Sequence, residues 1–348
     1  MRIGIIAPPW VPVPPPAYGG TEAVVDRLAR GLAATGHDLL LWTTGDATCS
    51  VPRAHVLEKA AGDRIGIAAV ELRHLILGYE HLIDWGADIV HDHTLIGPIY
   101  AQRFPHLPVV TTNHGPFNAE LSALYQAVDD DVAIIAISHD QARRARDLRL
   151  AAVIHHGVDL DGFTFGPGLG DEQGEYFLFL GRMAPEKGAR RAALAAREAG
   201  VRLIIAAKMR EPWEREFFFE EVQPLLDDQI VYVGEVDHTE RLRLLKGASA
   251  LVNPIRWPEP FGLVMIEALA SGTPVIAYRE GAAPEIVDHG VTGFLCDDMG
   301  ELAAGIHAVD RLDRRACRAA AEARFGTERM VADHLALFER IVGTTMAA

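Results

Sequence analysis

Cysteine is scarce in this chain. Three cysteines, Cys49, Cys296 and Cys317, are scattered over 348 residues, which gives neither a disulfide framework nor the ligand spacing of a metal cluster. Long hydrophobic runs are missing too, and no apolar stretch reaches the length of a membrane-spanning helix. Positive charge is in deficit. With 33 Lys and Arg against 48 Asp and Glu the formal net charge is −15, which argues against nucleic acid and anionic lipid as partners, because both need a basic face. The deficit holds in both halves, since residues 1–165 carry 12 basic and 19 acidic side chains and the remainder 21 and 29. The one basic cluster, Arg143, Arg144, Arg146 and Arg149, reads as a solvated helix face. Two signatures are also lacking: the first strand–helix turn has no G-x-G-x-x-G, and no helical H-E-x-x-H marks a zinc site.

What is present is ordinary for a globular protein, with 49% hydrophobic and 23% charged residues and enough chain for one or two sizeable cores. Met1 leads straight into RIGIIAPP, which reads as a core strand and not as a signal peptide, so a cytoplasmic location is expected. After that strand come VPVPPPAYGG, a rigid loop, and TEAVVDRLARGLAATGH, a helix expected to be capped by Thr21. Further strands read as DLLLWTT, ADIVHDH, LPVVTTNHG, VAIIAIS and AAVIHHG, with helices such as VELRHLILGYEHLIDWG and AELSALYQAV between most of them. Strands alternating with helices indicate a doubly wound parallel sheet, whose ligands gather at the carboxyl ends of the strands. Histidines fall at those ends repeatedly: His91, His93, His114, His139, His155 and His156. They could serve metal binding, acid–base work or substrate hydrogen bonding.

Periodicity lapses over LDGFTFGPGLGDEQGE, a Gly-rich acidic linker, and a second α/β unit opens with YFLFLGRMAPEKG. Asp159-Leu160-Asp161 mimics an Asp-x-Asp metal motif but lies at this boundary and is set aside. VRLIIAA, QIVYVGEV and SALVNPI supply more strands. WEREFFFEEVQPLLDD is an amphipathic stretch whose phenylalanines should pack on the sheet, and Arg315 to Val342 should be helical.

The stretch that organises the chain is NPIRWPEPFGLVMIEALASGTPVIA, residues 253–277. Trp257, Pro258 and Pro260 make a corner, Leu263, Ile266 and Leu269 follow helical spacing, and Gly272 with Pro274 ends the helix. The helix start offers free amides at Gly262, Leu263 and Val264 and the positive end of the helix dipole, bracketed by Glu259 and Glu267. That suits a diphosphate with a hydroxyl-rich sugar on each side. It also suits a core helix with two solvated glutamates.

The two glutamates with seven residues between them around PFG, followed by ALASGTPVIA, resemble the signature of the retaining family 4 glycosyltransferases of the GT-B fold. The resemblance is strong over Tyr176 to Leu295. It implies two Rossmann-like α/β domains facing across a cleft: an acceptor-binding domain at 1–162, a nucleotide-sugar-binding domain at 163–325, and a last helix at 326–348 packing back on the first. It implies that Glu267 binds the nucleotide ribose and that Glu259, with His114 after TTN, holds the transferred sugar as the catalytic pair. Arg182 and Lys187 of GRMAPEKG, with the amides of Gly262, Leu263 and Val264, would take the diphosphate in place of a metal. Gly20 of GGTE would face the same diphosphate, and Val236 after VGEV would reach the base through its backbone. HHGVD resembles the family's Asn-Gly-Val-Asp turn, with His156 where Asn is usual, and AAPEIVDHGVTGFL its closing pattern. The expected activity is transfer of a sugar from a nucleotide donor, UDP-linked in the commonest case, to an acceptor hydroxyl of a small molecule or glycan. No cofactor and no metal is expected, and the oligomeric state is left open. A nucleotide-sugar epimerase of the same architecture and a non-catalytic sugar-nucleotide-binding module compete with this reading.

Overall fold

The structure is a computed structural model and describes residues 1–347. Chain compactness separates two units, Met1–Gly157 together with the C-terminal helix, and Val158–Gly326. In the first unit the strands are β1 (Arg2–Ile6), β2 (Asp38–Thr43), β3 (Arg53–His55), β4 (Ile89–Asp92), β5 (Val109–Thr112), β6 (Ala133–Ala136) and β7 (Leu150–Val153). Its helices are α1 (Gly20–Ala34), α2 (Ala68–Trp85), α3 (Gly97–Ala101), α4 (Ala119–Gln126) and α5 (His139–Arg144). The second unit holds β8 (Phe177–Arg182), β9 (Leu203–Lys208), β10 (Ile230–Gly234), β11 (Leu251–Asn253), β12 (Val275–Tyr278) and β13 (Gly293–Cys296). Its helices are α6 (Ala189–Ala199), α7 (Pro212–Phe217), α8 (His238–Gly247), α9 (Leu263–Ala270), α10 (Ala283–Ile286), α11 (Met299–Ala308) and α12 (Arg314–Arg324). Helix α13 (Thr327–Ala347) then belongs to the first unit.

Each unit is a parallel sheet flanked by helices. The first has the order β3-β2-β1-β4-β5-β6-β7 and the second β10-β9-β8-β11-β12-β13, with every strand pair parallel. Parallel strands are covered on both faces, which is why they read as unbroken apolar runs such as IGII and LIIAA. Strand order reverses between β1 and β4 in the first unit and between β8 and β11 in the second, and such switch points are where doubly wound sheets bind ligands. The chain crosses from unit to unit at two adjoining places. Val158 bridges Gly326 in parallel, and its amide donates to Phe325 O at 2.8 Å.

Three local expectations need correction, and two strands were not read in the sequence. Helix α1 starts at Gly20 with Gly19 as its cap and no side-chain capping bond, so Thr21 lies inside the first turn. The final helical stretch is broken at Phe325–Gly326, because the backbone there pairs with Val158 as the chain changes units. Strands β3 and β13 join as the outermost members of their sheets; the first is three residues long and the second sits within the VTGFL pattern. WEREFFFEEV is one helical turn followed by a π-helical one, and this shift of phase buries Phe218 against Tyr232 while leaving Phe219 exposed. The basic cluster is surface-lying as expected, with Arg143 and Arg144 pairing with Asp140 at 3.1 and 2.8 Å, but helix α5 ends at Arg144 and leaves Arg146 and Arg149 outside it.

Candidate active site

In the second unit two loops leave the switch point, one after β8 and one after β11, and they are stitched together. The Arg256 amide donates to Glu186 O at 3.0 Å, while Arg191 donates to Pro254 O at 2.8 Å and to Glu186 O at 2.9 Å. Arg256 also lies over Tyr278, 3.6 Å from the ring centre, and donates to Glu280. Gly281 has φ +57°, and a Cβ there would run into the backbone of Glu259, whose carbonyl accepts from Ala282 N at 3.0 Å. The corner before α9 is thus fixed by backbone contacts.

This stitching brings Lys187 onto Glu259. The ammonium lies 2.5 Å from Glu259 Oε2 and 4.9 Å from the Trp257 ring centre, and Trp257 Nε1 donates to the same carboxylate oxygen. Gly262, at φ +94°, is the N-cap of α9. Among the described residues no acceptor is found for the amides of Gly262, Leu263 and Val264. Glu267, one turn into the helix, is buried, and Arg241 of α8 places a guanidinium nitrogen 3.6 Å from its carboxylate. Val236, half-buried, lies in the turn between β10 and α8.

Arg182 ends β8 in register with Lys208 of β9. Its guanidinium donates to Glu186 at 2.7 Å, lies over Trp213 at 5.3 Å, and approaches Glu214 at 3.7 Å. Glu214 is fully buried and also binds Lys208 at 3.2 Å. Burial would push its carboxyl up, but the Arg210 and Glu211 amides and Lys208 outweigh that and hold it below its ordinary value. The structure therefore joins Lys187 to Glu259 and gives Arg182 its own acidic partners. Arg241, Trp213 and Glu214 were missed in the sequence, where a lone side chain on a helix carries no signal of its neighbours in space, and Trp257 was read there only as part of the corner.

In the first unit the histidines converge. His91 of β4 is 4.0 Å from His93, His93 is 5.2 Å from His114, and His114 stacks on His156 at 5.1 Å between ring centres. His334 of α13 adds a fifth ring 5.2 Å from His91. His93 Nδ1 and His114 Nε2 are 2.9 Å apart, and His91 Nε2 is 2.8 Å from Thr112 Oγ1. Burial and the neighbouring imidazoles hold His91, His93 and His156 well below the ordinary value of 6.5 and His114 at about 3, and burial, with Arg329 nearby, holds His334 at about 4. All five are neutral at pH 7. Among the described residues neither unit by itself brings three His, Cys, Asp or Glu ligand atoms to metal-binding distance. His139 and His155 face each other edge-on, 5.7 Å apart and outside this stack.

Gly20 opens α1 beside a buried carboxyl. Glu22 in that first turn is 6% exposed, and desolvation raises its carboxyl to about 7. A Cβ added to Gly19 would lie 3.0 Å from Glu22 Oε2 and 2.6 Å from Pro15 Cβ, so the first position of the glycine pair leaves no room for a side chain. Asp159, part of the discounted Asp-x-Asp, closes a turn by accepting from Gly162 N.

Comparison with known proteins covers nearly the whole chain. Residues 165–324 match the family model described as Glycosyl transferases group 1, and residues 18–161 match that described as Glycosyltransferase Family 4. A protein named glycogen synthase from Mycobacterium tuberculosis is 28% identical over 92% of this chain and 88% of its own. The phosphatidyl-myo-inositol mannosyltransferase of Mycobacterium leprae is 28% identical over 90% and 93%. Among solved structures, sucrose-phosphate synthase from Thermosynechococcus elongatus superposes with TM-score 0.82 at 20% identity, covering 99% of each chain. HepE from Anabaena, solved in complex with UDP and glucose, superposes with TM-score 0.74 at 19% identity, covering 97% of this chain and 99% of that one.

Proposed function

Because the chain belongs to the family 4 glycosyltransferases of the GT-B fold, we propose that it moves a sugar from a nucleoside diphosphate to an acceptor hydroxyl, with retention of configuration and without a divalent cation. The observation that carries this reading is Lys187 held 2.5 Å from Glu259, three residues before the N-cap of helix α9, whose amides at Gly262, Leu263 and Val264 have no acceptor among the described residues. An ammonium and a helix start side by side stabilise the charge that develops on a departing diphosphate. The second unit holds the donor in this reading. Glu267, oriented by Arg241, accepts from the ribose hydroxyls, Val236 meets the base through its backbone, and Glu259 accepts from the transferred sugar. Arg182 adds a planar fork for phosphate oxygens by exchanging its contact with Glu186.

The first unit carries the acceptor, with His114 contacting the transferred sugar and Gly20 supplying amide contact to the diphosphate. A neutral His114 hydrogen-bonds a hydroxyl without adding charge. Neither His114 nor Glu259 acts as a covalent nucleophile here. The departing diphosphate takes the acceptor proton on the face from which it leaves. UDP is the donor nucleotide proposed, as in the HepE complex.

A panel of nucleoside diphosphates and their sugars tests this reading. UDP and one UDP-sugar should raise the melting temperature, and the purified protein should consume that sugar with a suitable acceptor in EDTA-treated buffer. NMR of the product should show the anomeric configuration of the donor. A donor left intact with every acceptor, water included, would refute transfer. Activity that EDTA abolishes and Mg²⁺ restores would refute the metal-free mechanism alone.

A further inference from the structure

The buried histidines of the first unit have more ring nitrogens than partners for them among the described residues. Three buried ring nitrogens, His74 Nδ1, His91 Nδ1 and His93 Nε2, have no hydrogen-bond partner among the described residues. In His74 the other nitrogen settles what the orphan is. Its Nε2 lies 3.0 Å from the carbonyl of Ala7, and since a carbonyl only accepts, Nε2 carries the proton and Nδ1 is a bare lone pair. The same rule puts the proton of His334 on Nδ1, 2.7 Å from Met330 O. This fold therefore tolerates a buried imidazole lone pair without a donor, whereas a buried N–H without an acceptor is the rarer and costlier defect.

His93 obeys the same logic. Its Nε2 is buried with no acceptor near it, so its single proton belongs on Nδ1, which faces His114 Nε2 at 2.9 Å. We propose that His93 is a positioning residue that sets the tautomer of His114, donating from Nδ1 to His114 Nε2 and so obliging His114 to carry its own proton on Nδ1. The alternative, with His114 donating, would strand a buried N–H on His93 Nε2 with no acceptor among the described residues. Both rings must be neutral for this arrangement, and burial keeps them so.

The consequence concerns what His114 can offer a substrate. Held as the Nδ1–H tautomer, with Nε2 already occupied, it presents a donor to a sugar oxygen and has no lone pair free to act as a base. This deepens the reading of His114 as the sugar-contacting residue and rests on it for its functional meaning, while the tautomer itself does not depend on any substrate.

Long-range ¹H–¹⁵N correlation spectra of ¹⁵N-histidine-labelled protein at pH 7.5 decide the matter, with the His114 signals assigned by their loss in His114→Gln. Wild type should show His114 protonated at Nδ1 and bare at Nε2. In His93→Phe, Nε2 of His114 should gain proton occupancy, and His93→Asn, whose amide can still donate, should restore the wild-type pattern. In transfer assays His93→Phe should lower kcat about tenfold, the worth of one neutral hydrogen bond, with donor KM little changed and His93→Asn recovering part of the loss. An Nε2–H tautomer in the wild-type spectrum overturns the proposal even if His93→Phe fails to fold, as does a His114 signal that His93→Phe leaves unaltered. Unchanged transfer by His114→Gln would instead refute the sugar-contacting role and leave the tautomer standing.

Discussion

At Lys187 two demands meet. The side chain is nearly buried, pairs with Glu259 and lies against Trp257, so it can neutralise charge beside α9 only if the pair stays assembled. Lys187→Ala should lower kcat about a hundredfold, the usual effect of removing one contact to developing negative charge, with the circular-dichroism spectrum unaltered. Turnover near wild type would remove Lys187 from the reaction. Glu22 makes a different prediction. Its folded carboxyl is raised to about 7 from an ordinary 4.5, so the folded state holds a proton that the unfolded chain has lost, and stability falls as pH rises between those values. Glu22→Gln removes that loss and should stabilise the protein at pH 8 by on the order of 1–3 kcal/mol, with little gain at pH 4.5. Urea titrations at the two pH values measure it, and an equal effect at both would contradict the buried-carboxyl account.

On the scale of elements, α9 and the loop before it form one device. The helix supplies amides, and the loop supplies Trp257 and Glu259; its angle is set by Gly281 on one side and by the Glu186–Arg256 backbone bond on the other. Gly281→Ala should displace residues 256–262, because the new methyl meets the Glu259 backbone and the residue must hold φ +57°. The expected result is a donor KM raised at least tenfold and a melting temperature several degrees lower. Donor affinity equal to wild type would show that the corner is not positioned this way. The motif itself was plain in the sequence, as turn residues and helical spacing are local properties. Its partner Arg241 was not, nor were Glu214 and Trp213 beside Arg182, since they arrive from α8 and α7 and are neighbours only through sheet order.

Across the whole molecule the acid response should be unequal. His74, His91, His93, His114, His156 and His334 are all held below 6.5 by burial, and all belong to the first unit. A histidine with a lowered folded value takes up its proton more readily when unfolded, so each such group withdraws about 1.4 kcal/mol per pH unit as pH falls from 6.5 towards its folded value. Glu22, Asp92 and Glu71 in the same unit have raised values and pull the other way, but six imidazoles outweigh three carboxyls. Hydrogen exchange followed by mass spectrometry, corrected for intrinsic rates, should therefore show peptides of 1–157 and 327–347 losing protection between pH 7.5 and 5 before those of 158–326. Equal loss in both units, or earlier loss in the second, would contradict it.

The sequence by itself determined the strand–helix alternation, the break into two α/β units, the family and the residues at the carboxyl ends of the strands. Each of these is written in short-range periodicity or in a contiguous motif, so no long-range contact is needed to read it. Only the tertiary structure decided what those residues touch. It set Lys187 on Glu259 across 72 positions, tied Arg182 to a buried Glu214, and brought His334 from the last helix onto the β4 histidines. The reason is physical: spacing along one element fixes which face a side chain occupies, but its partners depend on which strands lie side by side, and here strand order differs from chain order.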